Sequence, residues 1–90
     1  MIHHVVCFKL KDPTQFPAWR ELSASLAEIE TVRRFKAAPL LKRDRYDCAL
    51  SMEFDDEKGL QYYQQHPIHQ RYLDQVPRWV EEKLVVDLAV

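Results

Sequence analysis

Four histidines, His3, His4, His66 and His69, are the side chains of this 90-residue chain best suited to exchange a proton near neutral pH. A neutral imidazole can take a proton from a carbon next to a carbonyl, and a tyrosine hydroxyl can hydrogen-bond to the enolate that forms. His4, His69 and Tyr63 are therefore the candidate catalytic residues, with Tyr72 as a second phenol within reach of the same chemistry. His69 is the leading base, and His4 and Tyr63 are its orienting or polarising partners. The same two histidines also admit a structural role, in which a buried ring bonds to backbone or to a neighbouring side chain. His3 alternates with His4 along an extended segment and so falls on the opposite face, as a surface or structural residue. His66 precedes Pro67 and is suited to cap a helix that starts there. His66 and His69 are three apart, a spacing at which two imidazoles of a regular helix can share a metal. Pro67 between them sets the two at different geometries around a helix start, so no metal site is expected.

Other chemistries are excluded by what the chain lacks. With Gly59 as its only glycine it carries neither GxGxxG nor GxxxxGK[ST], which rules out a glycine-rich phosphate loop. Two cysteines without a CxxC spacing make neither a four-cysteine zinc site nor a disulfide framework. Cys7 and Cys48 are expected as small buried hydrophobes. No GxSxG elbow is present, and no cofactor is expected. Thirteen basic against fourteen acidic residues leave a formal net charge of -1, no electrostatic footprint for nucleic acid or an anionic membrane. The basic cluster from Arg33 to Arg45 charges an edge of the fold, against aggregation or to steer an anionic ligand. No apolar run approaches the roughly 18–20 residues of a membrane-spanning helix. The N-terminus lacks the basic start and small-residue cleavage site of a signal peptide. A soluble cytoplasmic protein is expected, with one domain over residues 1–90.

Periodicity defines the elements that must position these residues. Ile2 to Leu10 is rich in β-branched and aromatic residues and is closed by Lys11-Asp12-Pro13, a strand and its breaker. After Pro17, the residues Trp19, Leu22, Leu26 and Ile29 form the stripe of an amphipathic helix. Val32 to Leu41 reads as a second strand. Tyr46 to Phe54 alternates Tyr46, Cys48, Leu50, Met52 and Phe54 against Asp47, Ala49, Ser51 and Glu53, a third strand. Asp55-Asp56-Glu57 supply acceptors and negative charge where a helix begins, and that helix carries Leu60 and Tyr63 to His66. Pro67 starts a second helical piece with His69, Tyr72, Leu73 and Val76 inward. Pro77 closes it, and Lys83 to Val90 is the last strand.

This βαββαβ order predicts an α+β, ferredoxin-like fold: a four-stranded antiparallel sheet with helices on one face. On the first strand, Ile2, His4, Val6, Phe8 and Leu10 face the helices. On the last, the bulkier set Leu84, Val86, Leu88 and Val90 is assigned to the helices, leaving Val85, Asp87 and Ala89 outward. With Val5, Cys7 and Ala49, the outward set is too apolar to stay in water. A second copy covering it would stabilise the pair at about 25 cal/mol for each Å² of apolar surface removed. A homodimer through the sheet faces is predicted.

The segment from His3 to Lys11 resembles the opening strand of the stress-responsive dimeric α/β-barrel (Dabb) domain family, as does Tyr46-Asp47-Cys48-Ala49-Leu50 running into Glu53-Phe54-Asp55-Asp56. The most specific piece, Tyr63-Gln64-Gln65-His66-Pro67-Ile68-His69, is similar to that family's Tyr-x-x-His-Pro-x-His. Lys83-Leu84-Val85-Val86-Asp87 resembles its closing strand, so the likeness spans essentially the whole chain. The resemblance implies a homodimer whose two sheets close into a barrel. It implies no single activity. One plant member is a polyketide cyclase performing an aldol condensation without metal or cofactor, and others are known mainly as heat-stable or stress-induced proteins. His4, His69 and Tyr63 correspond to residues of that cyclase-type site. A further tyrosine of the cyclase, on its first helix, is missing here, where Ser23 stands.

Two functions follow. One is a homodimer of unestablished activity that binds a small apolar metabolite in a cleft between sheet and helices. The alternative is a cofactor-independent lyase or cyclase acting on a small carbonyl or polyketide-like compound by histidine acid–base catalysis. A heme- or oxygen-dependent monooxygenase on the same fold has no residue signature here. A cavity of roughly 300 Å³ or more would favour a ligand. Phe8, Tyr46, Met52 and Phe54 are large enough to fill that space instead.

Overall fold

Alternating burial along two central strands organises the computed structural model, which describes all residues, Met1–Val90. The strands are β1 (Ile2–Leu10), β2 (Arg33–Pro39), β3 (Cys48–Phe54) and β4 (Val80–Ala89). The helices are α1 (Phe16–Ala24), α2 (Glu57–Gln65) and α3 (Pro67–Gln75), with single-turn extensions at Ser25–Glu28 and Val76–Arg78. The sheet runs β2-β3-β1-β4 with every neighbouring pair antiparallel, the ferredoxin-like arrangement expected from the element order. Val6, Phe8 and Leu10 of β1 and Cys48, Leu50, Met52 and Phe54 of β3 are buried under the helices. Trp19, Leu26 and Ile29 reach them from the first helical segment, and Tyr63, Tyr72 and Val76 from the second. No helix is long and apolar enough to cross a membrane.

Local chemistry sets the boundaries. Asp56 caps α2 by accepting from the Gly59 N–H at 2.8 Å, the job foreseen for the acidic run. β2 is shorter than the span Val32 to Leu41, and within it a register shift between Arg33 and Lys36 accompanies Arg34 in the left-handed region at φ 50°. β3 starts at Cys48 rather than Tyr46, where the Asp47 carboxylate accepts from the Leu10 N–H at 2.7 Å. β4 begins at Val80, ahead of the expected Lys83.

The faces of β4 are the reverse of the assignment made from side-chain bulk. His4 pairs with Asp87, Val6 with Val85 and Phe8 with Lys83. Directly opposed residues of antiparallel strands share a face, so Lys83, Val85 and Asp87 are on the helix-bearing face, at its exposed edge. Leu84, Val86 and Leu88 pair with Cys7, Val5 and His3 and lie on the outer face. Bulk misleads because both sets are apolar; only the register against β1 decides between them. The outer face is correspondingly more apolar than the sequence suggested, with Leu84 46%, Val86 38% and Leu88 50% exposed.

Candidate functional site

Between the sheet and the α2–α3 pair lies a cavity of about 200 Å³. Val6, Phe8 and Leu50 make its apolar floor, and His4, Tyr63, His69, Tyr72 and Lys83 bring polar atoms to it. It is smaller than the roughly 300 Å³ at which drug-sized sites begin. Of the large residues able to fill this space, Phe8 lines the cavity, Met52 and Phe54 are buried in the core beside it, and Tyr46 is not in the lining. Size alone therefore does not argue for a ligand; what marks the cavity is the set of polar groups on an apolar floor.

The His-Pro-x-His run positions His69 through a shortage of backbone donors. Pro67 has no N–H to continue α2, so the Tyr63 carbonyl accepts from the His66 N–H instead, and α2 ends. The Ile68 N–H turns to His66, whose Nδ1 accepts it at 3.1 Å and caps α3. That leaves the Gln64 carbonyl without a helical partner, and His69 Nδ1 lies 3.0 Å from it. A carbonyl only accepts, so His69 donates its Nδ1–H and presents Nε2 with its lone pair. Burial holds the His69 pKa below the ordinary histidine value, opposed by the bond to Gln64 and reinforced by His4 and the Lys83 ammonium. The ring is a neutral base. His66 diverges from it, with Nε2 turned towards Glu30 at 3.9 Å, so the two imidazoles do not converge on one point.

His4 is oriented by different means. Its ring is buried, and its Nδ1 is hydrogen-bonded to the Asp87 carboxylate across the β1–β4 pair. A carboxylate accepts, so Nδ1 of His4 donates, and the charge behind it would stabilise an imidazolium. Tyr63 stands between the two imidazoles, its ring centroid 5.7 Å from that of His4 and 4.5 Å from that of His69. Burial pushes the Tyr63 hydroxyl well above the ordinary tyrosine value, so it remains a proton donor. The structure thus brings His4, Tyr63 and His69 together at one cavity, with the phenol in the middle.

Ser23, standing where a cyclase-type tyrosine is lacking, meets a phenol from another element. Its buried hydroxyl is 2.8 Å from that of Tyr72 on α3. Burial also raises the Tyr72 pKa, more strongly than the bond to Ser23 lowers it. The indole N–H of Trp19 is buried without a hydrogen-bond partner.

Two residues of this site were missed from sequence, Asp87 and Lys83. Side-chain bulk puts Asp87 outward with Val85, although a carboxylate inside the apolar run Leu84–Ala89 is itself a signal of a polar partner across the sheet. Lys83 marked only the start of a strand. The outward-facing His3 lies where it was expected, 3.4 Å from Glu53.

The family described as Stress responsive A/B Barrel Domain matches residues 2–90. No curated protein sequence matches the chain significantly. Among solved structures, a Dabb family protein with a ferredoxin-like fold from Mesorhizobium loti is 27% identical. It superposes with a TM-score of 0.85 over 99% of this chain and 95% of its own. A dimeric ferredoxin-like protein of unknown function from Thermobifida fusca is 25% identical, with a TM-score of 0.82 over 99% of this chain and 90% of that one. An Arabidopsis thaliana protein is similar in fold, with a TM-score of 0.86 at 19% identity, over 100% of this chain and 95% of that one.

Proposed function

This chain belongs to the stress responsive A/B barrel domain family, and from that premise we propose that it is a homodimer whose protomers each bind a small, largely apolar metabolite. The carrying observation is the cavity of about 200 Å³, apolar at its floor, on which polar groups converge from β1, α2, α3 and β4. The dimer is supported by the apolar outer face of Leu84, Val86 and Leu88, which a second copy would cover. The Thermobifida fusca protein, described as dimeric, is consistent with it. Titration of the labelled protein with a small apolar ketone such as 2-heptanone should move the amide resonances of Tyr63, His69, Leu73 and Val85. No movement there would overturn the binding site.

A second function, cofactor-independent lyase or cyclase chemistry on a small carbonyl compound, is favoured by the grouping of two imidazoles and a phenol at one cavity. Two imidazoles, each held at Nδ1, line one cavity with the protonated phenol of Tyr63 packed near both. In that mechanism His69 Nε2 takes the proton from the carbon next to the carbonyl. The Tyr63 hydroxyl hydrogen-bonds to the enolate oxygen as charge builds there. His4, backed by Asp87, returns or relays a proton. The partial reaction is measurable without the natural substrate: the protein should speed deuterium exchange into the positions flanking the carbonyl of 2-heptanone. His69→Ala should lose that exchange with its circular dichroism spectrum unchanged. Exchange at the buffer rate, or undiminished in His69→Ala, would remove His69 as the base.

A further inference from the structure

Lys83 occupies an unusual position for a lysine. Its β-ladder partner is Phe8, so it projects from the helix-covered face of the sheet, where Phe8 itself is 1% exposed. It is the one cation lining the cavity. It makes no ion pair within the chain, although carboxylates are close along the strand. Glu82 is held by the Arg45 guanidinium through two bonds of 2.9 Å, and Asp87 by His4. Lys83 lines the cavity and is exposed overall, which places it at the cavity's solvent-facing mouth.

We propose that Lys83 makes this cavity selective for small apolar carboxylic acids, with the carboxylate at the mouth on the lysine and the apolar body on Val6, Phe8 and Leu50. The proposal rests on the metabolite-binding function above and names the substrate class of that same site. The charges fit a monoanion: the other polar groups of the lining are the neutral His69 imidazole, the His4 imidazole already held by the Asp87 carboxylate, two protonated phenols and the Gln64 amide. A dianion such as a phosphate ester would need a second cation, and the lining offers none. The Lys83 ammonium also lowers the affinity of His69 for a proton. A carboxylate paired with that ammonium would return basicity to His69, so occupancy and proton transfer would be coupled through one side chain.

Hexanoate and hexanamide test this, because they share a shape and differ in charge. Calorimetric and resonance titrations of the full chain should show hexanoate binding about tenfold tighter, equivalent to ~1.4 kcal/mol. Raising the salt concentration should narrow the gap. Lys83→Met should bring hexanoate down to the level of hexanamide, and Lys83→Arg should keep the preference. Being an exposed side chain, Lys83 can be replaced without loss of packing. Equal affinity for the two probes, with Leu73 and Val85 resonances moving for both, would overturn the role of Lys83 and leave the binding function standing. A preference that survives in Lys83→Met would also overturn it. Absence of any shift at the cavity with either probe would overturn both together.

Discussion

Replacing Val86 by aspartate should split the homodimer and leave the protomer folded. Val86 lies on the outer face opposite Val5, between Leu84 and Leu88. Fully burying a side chain of this kind is worth about 1.5–3 kcal/mol. The three are 46%, 38% and 50% exposed in the protomer, so covering each is worth roughly half of that, or ~1 kcal/mol. Three such side chains on each of two protomers contribute about 6 kcal/mol to association. The substitution removes ~2 kcal/mol of this and places two carboxylates in the interface, where desolvation costs several kcal/mol per ion. The combined loss is at least about 5 kcal/mol, which weakens the dimer by more than roughly a thousandfold. Sedimentation velocity over a dilution series, with circular dichroism on the same samples, measures this directly. Val85→Asp is the discriminating control, because Val85 lies on the other face and lines the cavity. It should stay dimeric and lose the binding of 2-heptanone. A folded Val86→Asp protein that remains a dimer at every dilution, or a Val85→Asp protein that dissociates in its place, would refute the outer face as the interface.

Asp87→Ala should cost about 1–3 kcal/mol by leaving the Nδ1–H of buried His4 without its acceptor. Asp87→Asn, whose amide oxygen still accepts, should recover most of it, and a urea midpoint unchanged in Asp87→Ala would remove the bond from the explanation. His69 binds its proton less readily when folded, mainly because burial disfavours the charged ring. As pH falls through the ordinary histidine value near ~6.5, the unfolded chain therefore takes up the proton first. The contribution of the neutral ring is complete above that value and is lost progressively below it. Urea midpoints should accordingly fall less steeply towards acid in His69→Phe than in the parent, and parallel curves would contradict this. Burial pushes the Cys48 thiol up to about 12, so a thiol reagent should leave it unmodified until the protein unfolds. Half-buried Cys7, on the outer face, should react faster in the Val86→Asp monomer than in the dimer. His66→Ala should lose ~1 kcal/mol of stability with the cap of α3, and His66→Asn should restore it.

Where one face of an element is polar, its placement is legible from residues alone. β3 alternates Cys48, Leu50, Met52 and Phe54 against Ala49, Ser51 and Glu53, and the buried set is the apolar one. Pro67 marks the break between α2 and α3, and His66 acts as the cap its place before a proline suggested. β4 defeats the same logic. Leu84, Val86 and Leu88 form one apolar set and Val85 with Ala89 another, because one side of the strand faces the cavity and the other is an apolar outer surface. A period of two then yields two sets without saying which is inward, and pairing with β1 supplies the answer. That reversal concealed Asp87 behind His4 and Lys83 at the cavity mouth. The fixed tautomer of His69 was hidden for another reason. It depends on which backbone carbonyl is left over after Pro67 removes one donor and His66 captures another.

Native mass spectrometry of the freshly purified protein, and of the protein after incubation with 2-heptanone or hexanoate, tests the metabolite-binding homodimer most directly. Gentle spraying should give a dimer carrying up to two small molecules, released on activation, and Val85→Asp should carry none. A monomer under gentle conditions, or a dimer with the mass of two bare chains in every one of these samples, would contradict it.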